Sequence, residues 1–243
     1  MTALPDPPPA RRLGLVIDLD TCVGCQACVV ACKEWNGGGP AGPLGDLEPW
    51  GAAPSGAWLN RVHGFEVGEG EAGRTVYFPR SCLHCENALC VTVCPTGASY
   101  KRAEDGIVLV DEAKCMGCGL CAWACPYGAR ELDRPSGVMK KCTLCVDRIG
   151  DERLPAAERE PACVATCPAR ARHFGDLADP DSAVSRLVAE RGGVELLAEL
   201  GYRPTNRYLP PRPGRRLAAS AERLEDAPAE GGFLGWLDRL LGG

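Results

Sequence analysis

Hydrophobic positions along this chain come in short runs, interrupted by glycine, proline or charge. Leu13 to Ile17 is the first such run and predicts a strand. Ser99-Tyr100-Lys101-Arg102 and Ile107-Val108-Leu109-Val110 flank a turn at Glu104-Asp105-Gly106, which predicts a hairpin. Ala171 to Phe174 predicts another strand. One longer helix is expected, capped by Asp179 ahead of Pro180, running to about Arg191 and stopped by Gly192. Gly37 to Ala57, rich in glycine and proline and carrying Trp50, reads as a long loop suited to partner contacts. Arg203 to Gly232 holds prolines and charges and predicts an extended segment. It leads into an amphipathic end, Phe233 to Leu241, suited to a membrane partner, a lipid interface or the protein's own core. No run reaches the roughly 18 to 20 apolar residues of a membrane-spanning helix. Met1 to Arg12 is proline-rich and lacks the apolar region of an export signal, even with Arg11-Arg12 present.

Elements this short bury little surface, and with aromatics at only 6% of 243 residues something else must hold the chain together. Sixteen cysteines are the candidate. In a chain expected to stay in a reducing compartment they point to metal rather than to disulfides. They fall into four groups of four. The first is Cys22, Cys25, Cys28 and Cys32. The second is Cys82, Cys85, Cys90 and Cys94, followed by Pro95. The third is Cys115, Cys118, Cys121 and Cys125, followed by Pro126. The fourth is Cys142, Cys145, Cys163 and Cys167, with a loop inserted between its halves and Pro168 after it.

Three cysteines at x2 intervals can curl around one iron–sulfur cube. The fourth, after x3, is expected at the start of a helix, pointing away to ligate the other cluster of a pair. The proline after it suits a first helical turn. Zinc ribbons need only two knuckles, so the repeated x2-x2-x3 spacing disfavours zinc, and cysteines this close pair poorly as disulfides. The predicted cofactors are therefore four [4Fe–4S] clusters. The formal charge of −5 counts thiols as neutral; sixteen thiolates and four oxidised cores would bring the loaded chain to about −13, which argues against nucleic acid as a partner.

Groups two and three are separated by the expected hairpin, as in a two-cluster ferredoxin. This pairs Cys82, Cys85 and Cys90 with Cys125, and Cys115, Cys118 and Cys121 with Cys94. Groups one and four then pair across the insert: Cys22, Cys25 and Cys28 with Cys167, and Cys142, Cys145 and Cys163 with Cys32. The fold class expected is α+β, two fused bacterial-ferredoxin-like modules with one nested in the other. The outer module covers 12–36 and 137–177, an insert loop 37–74, the inner module 75–136, a helical segment 178–202 and an extended tail 203–243. Lys33, Lys101, Arg102, Arg130, Lys140 and Lys141 flank the motifs, and cations near a cluster stabilise its added electron. His84, between Cys82 and Cys85, is expected to donate a hydrogen bond or to pack, not to ligate. No nucleophile arrangement, phosphate loop or cofactor fingerprint appears, so the chain itself is expected to carry out no bond chemistry.

Cys22-Val23-Gly24-Cys25-Gln26-Ala27-Cys28-Val29-Val30-Ala31-Cys32-Lys33, Cys82-Leu83-His84-Cys85-Glu86-Asn87-Ala88, Cys115-Met116-Gly117-Cys118-Gly119-Leu120-Cys121, Cys125-Pro126-Tyr127-Gly128-Ala129 and Lys141-Cys142-Thr143-Leu144-Cys145-Val146-Asp147-Arg148 carry a family signature. The chain resembles the iron–sulfur subunit of the dimethyl sulfoxide reductase family of molybdenum enzymes over roughly residues 12 to 210. Within it, the chain is most similar to subunits of membrane-bound sulfite dehydrogenases and dimethyl sulfoxide reductases. The resemblance implies a molybdopterin catalytic subunit on one side, a quinone-interacting integral membrane subunit on the other, and a peripheral place on the cytoplasmic side of the inner membrane. It implies that the Cys22/Cys25/Cys28/Cys167 cluster lies nearest the catalytic subunit and the Cys94/Cys115/Cys118/Cys121 cluster nearest the membrane. Some relatives lack the cysteine matching Cys118 and hold a three-iron centre there; its presence here implies a full cube.

Overall fold

A computed structural model describes residues 3–37, 57–68 and 73–212. At its centre runs β1 (Leu13–Asp18), whose six residues are all buried. A strand reads as a nearly continuous apolar run when both its faces are covered, and that is its position here. Antiparallel β8 (Arg172–Asp176) pairs along one edge, with Leu15 opposite Phe174, and parallel β9 (Arg207–Leu209) along the other. Leu13, Leu15 and Ile17 enter the main core, whereas Val16 turns the other way onto Val184 and Leu209.

β9 corrects the expectation of an extended tail from Arg203. Residues 203–209 are drawn into the core by their polar side chains. Asn206 Oδ1 accepts from Leu15 N at 2.9 Å, and its Nδ2 donates to Cys82 O at 3.1 Å. Thr205 Oγ1 donates to His84 O at 2.8 Å. The segment thus straps the second cysteine loop to β1. Phe233 to Leu241, the amphipathic stretch, lies outside the described residues, as do residues 38–56 of the Gly37 to Ala57 loop.

The insert read as a loop over 37–74 is also corrected. Its latter part is β2 (Asn60–Val67), which forms a hairpin with β3 (Arg74–Ser81). Arg61, His63 and Gly64 break the apolar alternation that would have revealed it. The hairpin covers the central sheet: Phe78 stacks on Tyr208 with ring centroids 4.5 Å apart, and Tyr208 Oη donates to Pro79 O at 3.0 Å. β4 (Ser99–Lys101) and β5 (Val108–Val110) form the expected hairpin, with Tyr100 opposite Leu109. A further hairpin, β6 (Glu131–Asp133) with β7 (Val138–Lys140), spans the boundary expected between residues 136 and 137. Its Glu131 forms a buried ion pair with Arg61 of β2.

The helices are α1 (Ala27–Asn36), α2 (Leu89–Thr92), α3 (Leu120–Trp123), α4 (Val146–Ile149), α5 (Ala162–Ala165) and α6 (Ala183–Arg191). α1 packs on α5 and α2 on α3. The cap of α6 is Ser182, whose Oγ accepts from Ser185 N at 3.1 Å. Asp179 instead accepts from Asp181 N in the preceding turn, so the helix begins three residues later than the cap pattern suggested. Gly192, left-handed at φ 63°, closes it as expected.

Asn206→Ala is expected to leave two buried backbone groups without partners, at a cost of about 2 kcal/mol or more. The check is the thermal midpoint of the loaded protein under anaerobic conditions, which is expected to fall.

Candidate metal centre

All four cysteine loops share one backbone device. The residue before each second cysteine is left-handed: Gly24 at φ 67°, His84 at 49°, Gly117 at 67° and Leu144 at 54°. Such a residue curls the chain so that successive thiols can face one centre. His84 and Leu144 show that this φ is open to other residues, but at the two glycines contact excludes a side chain. A Cβ on Gly24 would lie 2.3 Å from the Tyr77 ring, and one on Gly117 would lie 2.3 Å from Gly137 O.

The third cysteine of every group (Cys28, Cys90, Cys121 and Cys163) is the second residue of a helix, α1, α2, α3 and α5 respectively. The fourth lies one turn onward, inside the helix or beyond its end and not at the helix start that the spacing predicts. Cys32 sits inside α1, and Cys94, Cys125 and Cys167 follow the ends of α2, α3 and α5. The prolines after those three open turns, not helices. Each turn is closed by a left-handed residue three positions past the cysteine: Gly97, Gly128 and Arg170.

The structure brings cysteines of different groups together. Cys22 lies within electrostatic reach of Cys28 and Cys167, and Cys32 within reach of Cys142, Cys163 and Cys145. Cys85 is near Cys82, Cys125 and Cys90, and one cavity is lined by Cys94, Cys115, Cys118 and Cys121. Two of the sixteen thiols are exposed, Cys25 and Cys118. In their loops Val23 and Met116 are 59% and 65% exposed, whereas Leu83 and Leu144 in the other two loops are 1% exposed. Two loops therefore face outward and two face the interior.

Donors converge on the sulfurs. Backbone N–H groups of Ser99, Met139 and Ala171 point at Cys94, Cys115 and Cys167 at 3.3, 3.4 and 3.3 Å. Cys145 accepts from Asn36 Nδ2 at 3.4 Å and Ala162 N at 3.5 Å. Two guanidiniums join them: Arg130 donates to Cys90 at 3.0 Å and Arg172 to Cys163 at 3.5 Å. Burial, reinforced by neighbouring thiols, pushes Cys142 up to about 12 and Cys163 to about 11. Burial likewise takes Cys125 to about 11. Crowded thiols like these become thiolates only against a positively charged core.

The donor set fits an iron–sulfur core. His84 is fully buried, and burial followed by the charges of Lys141, Lys101 and Arg130 drives its pKa well down, so the ring is neutral. Its Nδ1 accepts from Val108 N at 3.1 Å, which leaves the proton on Nε2; the ring is packed in the interior, one of the two roles expected for it. Nε2 of His84 is a buried donor with no partner among the described residues, and so are Nη1 of Arg130 and Nε of Arg172, whose guanidiniums already reach cysteine sulfur and can serve inorganic sulfide as well.

The flanking cations read from the sequence divide into two kinds. Arg130 and Lys141 are buried among the sulfurs. Lys33 instead lies over the Trp58 ring and bonds Ala57 O, Arg102 pairs with Asp105, and Lys140 pairs with Glu112. Lys101 bonds Cys85 O at 3.0 Å. The sequence reading missed Arg172, although it follows Cys167 by the five positions that separate Arg130 from Cys125.

Residues 21–98 and 74–177 each match a 4Fe-4S dicluster domain. The chain is 59% identical to a sulfite dehydrogenase subunit of Allochromatium vinosum, over 84% of this chain and 85% of that one. It is 39% identical to a putative dimethyl sulfoxide reductase iron-sulfur subunit of Halobacterium salinarum, over 89% and 88%. With a polypeptide of the polysulfide reductase of Wolinella succinogenes it shares 37% identity, over 84% and 97%. This protein belongs to the iron–sulfur subunits of the molybdopterin oxidoreductase family.

In this iron–sulfur subunit, four of the helices, α2 to α5, are four residues long, far below the length at which a helix is stable alone. Chelating the iron anaerobically under reducing conditions is therefore expected to lower the helical circular-dichroism signal by the share that α2 to α5 carry. Retention of that signal would mean that the apolar core suffices without metal.

Proposed function

We propose that this subunit holds four [4Fe–4S] clusters and passes single electrons between a molybdopterin catalytic subunit and a quinone-interacting membrane subunit, in a complex of sulfite dehydrogenase or dimethyl sulfoxide reductase type. The reading rests above all on the approach of Cys32 to Cys142, Cys145 and Cys163, because it joins the first group to the fourth across the whole inner region. The ligand sets are Cys22, Cys25, Cys28 and Cys167; Cys32, Cys142, Cys145 and Cys163; Cys82, Cys85, Cys90 and Cys125; and Cys94, Cys115, Cys118 and Cys121. A ferredoxin-like module of groups two and three then sits nested within one of groups one and four, in keeping with the packing of α2 on α3 and of α1 on α5.

Each cluster supplies one-electron chemistry when bound. The chain's own residues exclude water from the inner loops through Leu83 and Leu144, present N–H donors to the sulfurs, and leave Cys25 and Cys118 at the surface. Those exposed loops suit entry and exit: the Cys25 loop toward the catalytic subunit, the Cys118 loop toward the membrane subunit. The relatives are named as single components of sulfite dehydrogenase, tetrathionate reductase and polysulfide reductase, which supports a multi-subunit setting. Among the described residues no helix is long and apolar enough to cross a membrane. The proposed location is the cytoplasmic face of the inner membrane, with attachment through the membrane partner.

The test is purification from membranes in mild detergent without oxygen, through an N-terminal tag, with iron and molybdenum measured per chain. Close to sixteen irons for the subunit, together with the partner's share and about one molybdenum, is the expected result. Recovery of the iron-loaded chain alone from the soluble fraction would favour a free polyferredoxin. A complex acting on formate or on hydrogen instead would keep the electron relay and change the substrate.

A further inference from the structure

Three basic side chains in the described structure are at most 3% exposed and lie among the sulfurs: Arg130 at 1%, Lys141 at 3% and Arg172 at 3%. Burying a cation is costly unless negative charge lies close by. Their surroundings follow one pattern, which becomes visible when the sulfurs are sorted by the ligand sets proposed above.

Arg172 donates to Cys163 at 3.5 Å and to Asn60 Oδ1 at 2.8 Å. Its electrostatic neighbours include Cys163 and Cys142 of one set and Cys28 of another. Arg130 donates to Cys90 at 3.0 Å and to Ser99 Oγ at 2.8 Å. It interacts with Cys121 as well, and it lines the cavity of Cys94, Cys115, Cys118 and Cys121. Lys141 is held by its Nζ bond to Cys142 O at 2.6 Å, with Cys82 and Cys90 of the neighbouring set within electrostatic reach. The thiols themselves follow the same order: Cys163 feels Cys28, Cys142 feels Cys82, and Cys121 feels Cys90.

We propose that Arg172, Lys141 and Arg130 are positioning residues for electron transfer, one set at each of the three junctions between consecutive clusters, each stabilising the added electron on both clusters it faces. This rests on the four-cluster relay proposed above. A cation shared by two neighbours lowers the free energy of the reduced state on both. Moving an electron across the junction then changes that stabilisation little, and neither neighbour becomes a trap on account of it. Arg172 and Arg130 serve equivalent places in the two modules, each five residues after the last cysteine of its motif. Lys141 has no such twin, because it stands where the modules meet. Its position immediately before Cys142 ties the charge to a ligand-bearing loop.

The test uses the full chain, in its complex, with iron analysis and electron paramagnetic resonance redox titration of each cluster. In wild type, iron near sixteen and four resolved centres are required; fewer would overturn the relay reading itself, whatever the variants do. In Arg130→Met, Lys141→Met and Arg172→Met, the two clusters facing the altered side chain are expected to be about tenfold harder to reduce, a downward shift of about 59 mV for one electron. The other two are expected to stay within about twofold. Arg130→Lys and Arg172→Lys, which keep the charge and lose the fork, are expected to stay close to wild type. Fully loaded Met variants with all four potentials unchanged would overturn the proposal, as would a shift confined to a single cluster. Should a Met variant fail to take up iron, the Gln variant at that position replaces it. If every neutral variant loses iron while the Lys variants load fully, the charge serves assembly and the proposal is wrong.

Discussion

Crowding of sulfur in a low-dielectric interior is the constraint on which the rest of this fold depends. Left as thiols, the buried cysteines are kept protonated by burial and by one another. As thiolates they would repel strongly. Nearly every irregular feature of the chain addresses that problem. Left-handed residues turn the loops so that N–H groups face inward, short helices carry the third cysteine and bring the fourth close behind it, and buried arginines approach the sulfurs directly. The apolar core is then left to a few strands, chiefly β1, β3, β8 and β9, that frame the metal-binding regions.

The sequence made the chemistry easier to read than the architecture. Cysteine spacing is a local property with a physical cause, and a four-residue loop closing on one centre leaves the same trace wherever it occurs. The hairpin of β4 and β5 was legible for a similar reason: Glu104-Asp105-Gly106 marks the turn, and the apolar run after it has no other use. β2 was not legible, because Arg61 and His63 interrupt its alternation, and Arg61 is tolerated inside by its bond to Trp58 O and its pairing with Glu131, seventy residues away in sequence. β9 was hidden more thoroughly. Arg203 to Leu209 is polar and proline-bearing, and what recruits it is a set of hydrogen bonds from Thr205 and Asn206 to backbone groups that no local pattern announces.

The cations illustrate the same division. Six basic residues were noticeable because they adjoin the motifs in sequence, yet adjacency did not decide which of them face sulfur. Lys33, Arg102 and Lys140 neighbour cysteines or hairpins and spend their charge elsewhere. Arg172 lies inside β8, reads as an ordinary strand residue, and reaches Cys163. Had the two halves been aligned on their Cys-Pro turns, the matching offsets of Arg130 and Arg172 would have exposed it.

The strap formed by residues 203–209 also bears on how the protein comes into being. Its hydrogen bond from Leu15 N to Asn206 joins positions 191 residues apart. β1, which emerges early from the ribosome, has no complete set of edge partners until nearly all of the described residues have been made. Such long-range closure is slow compared with local contacts. The nascent polypeptide therefore passes through a long interval with its central strand unpaired on both sides and its first cysteine group open, an interval that iron delivery and any protective chaperone must share.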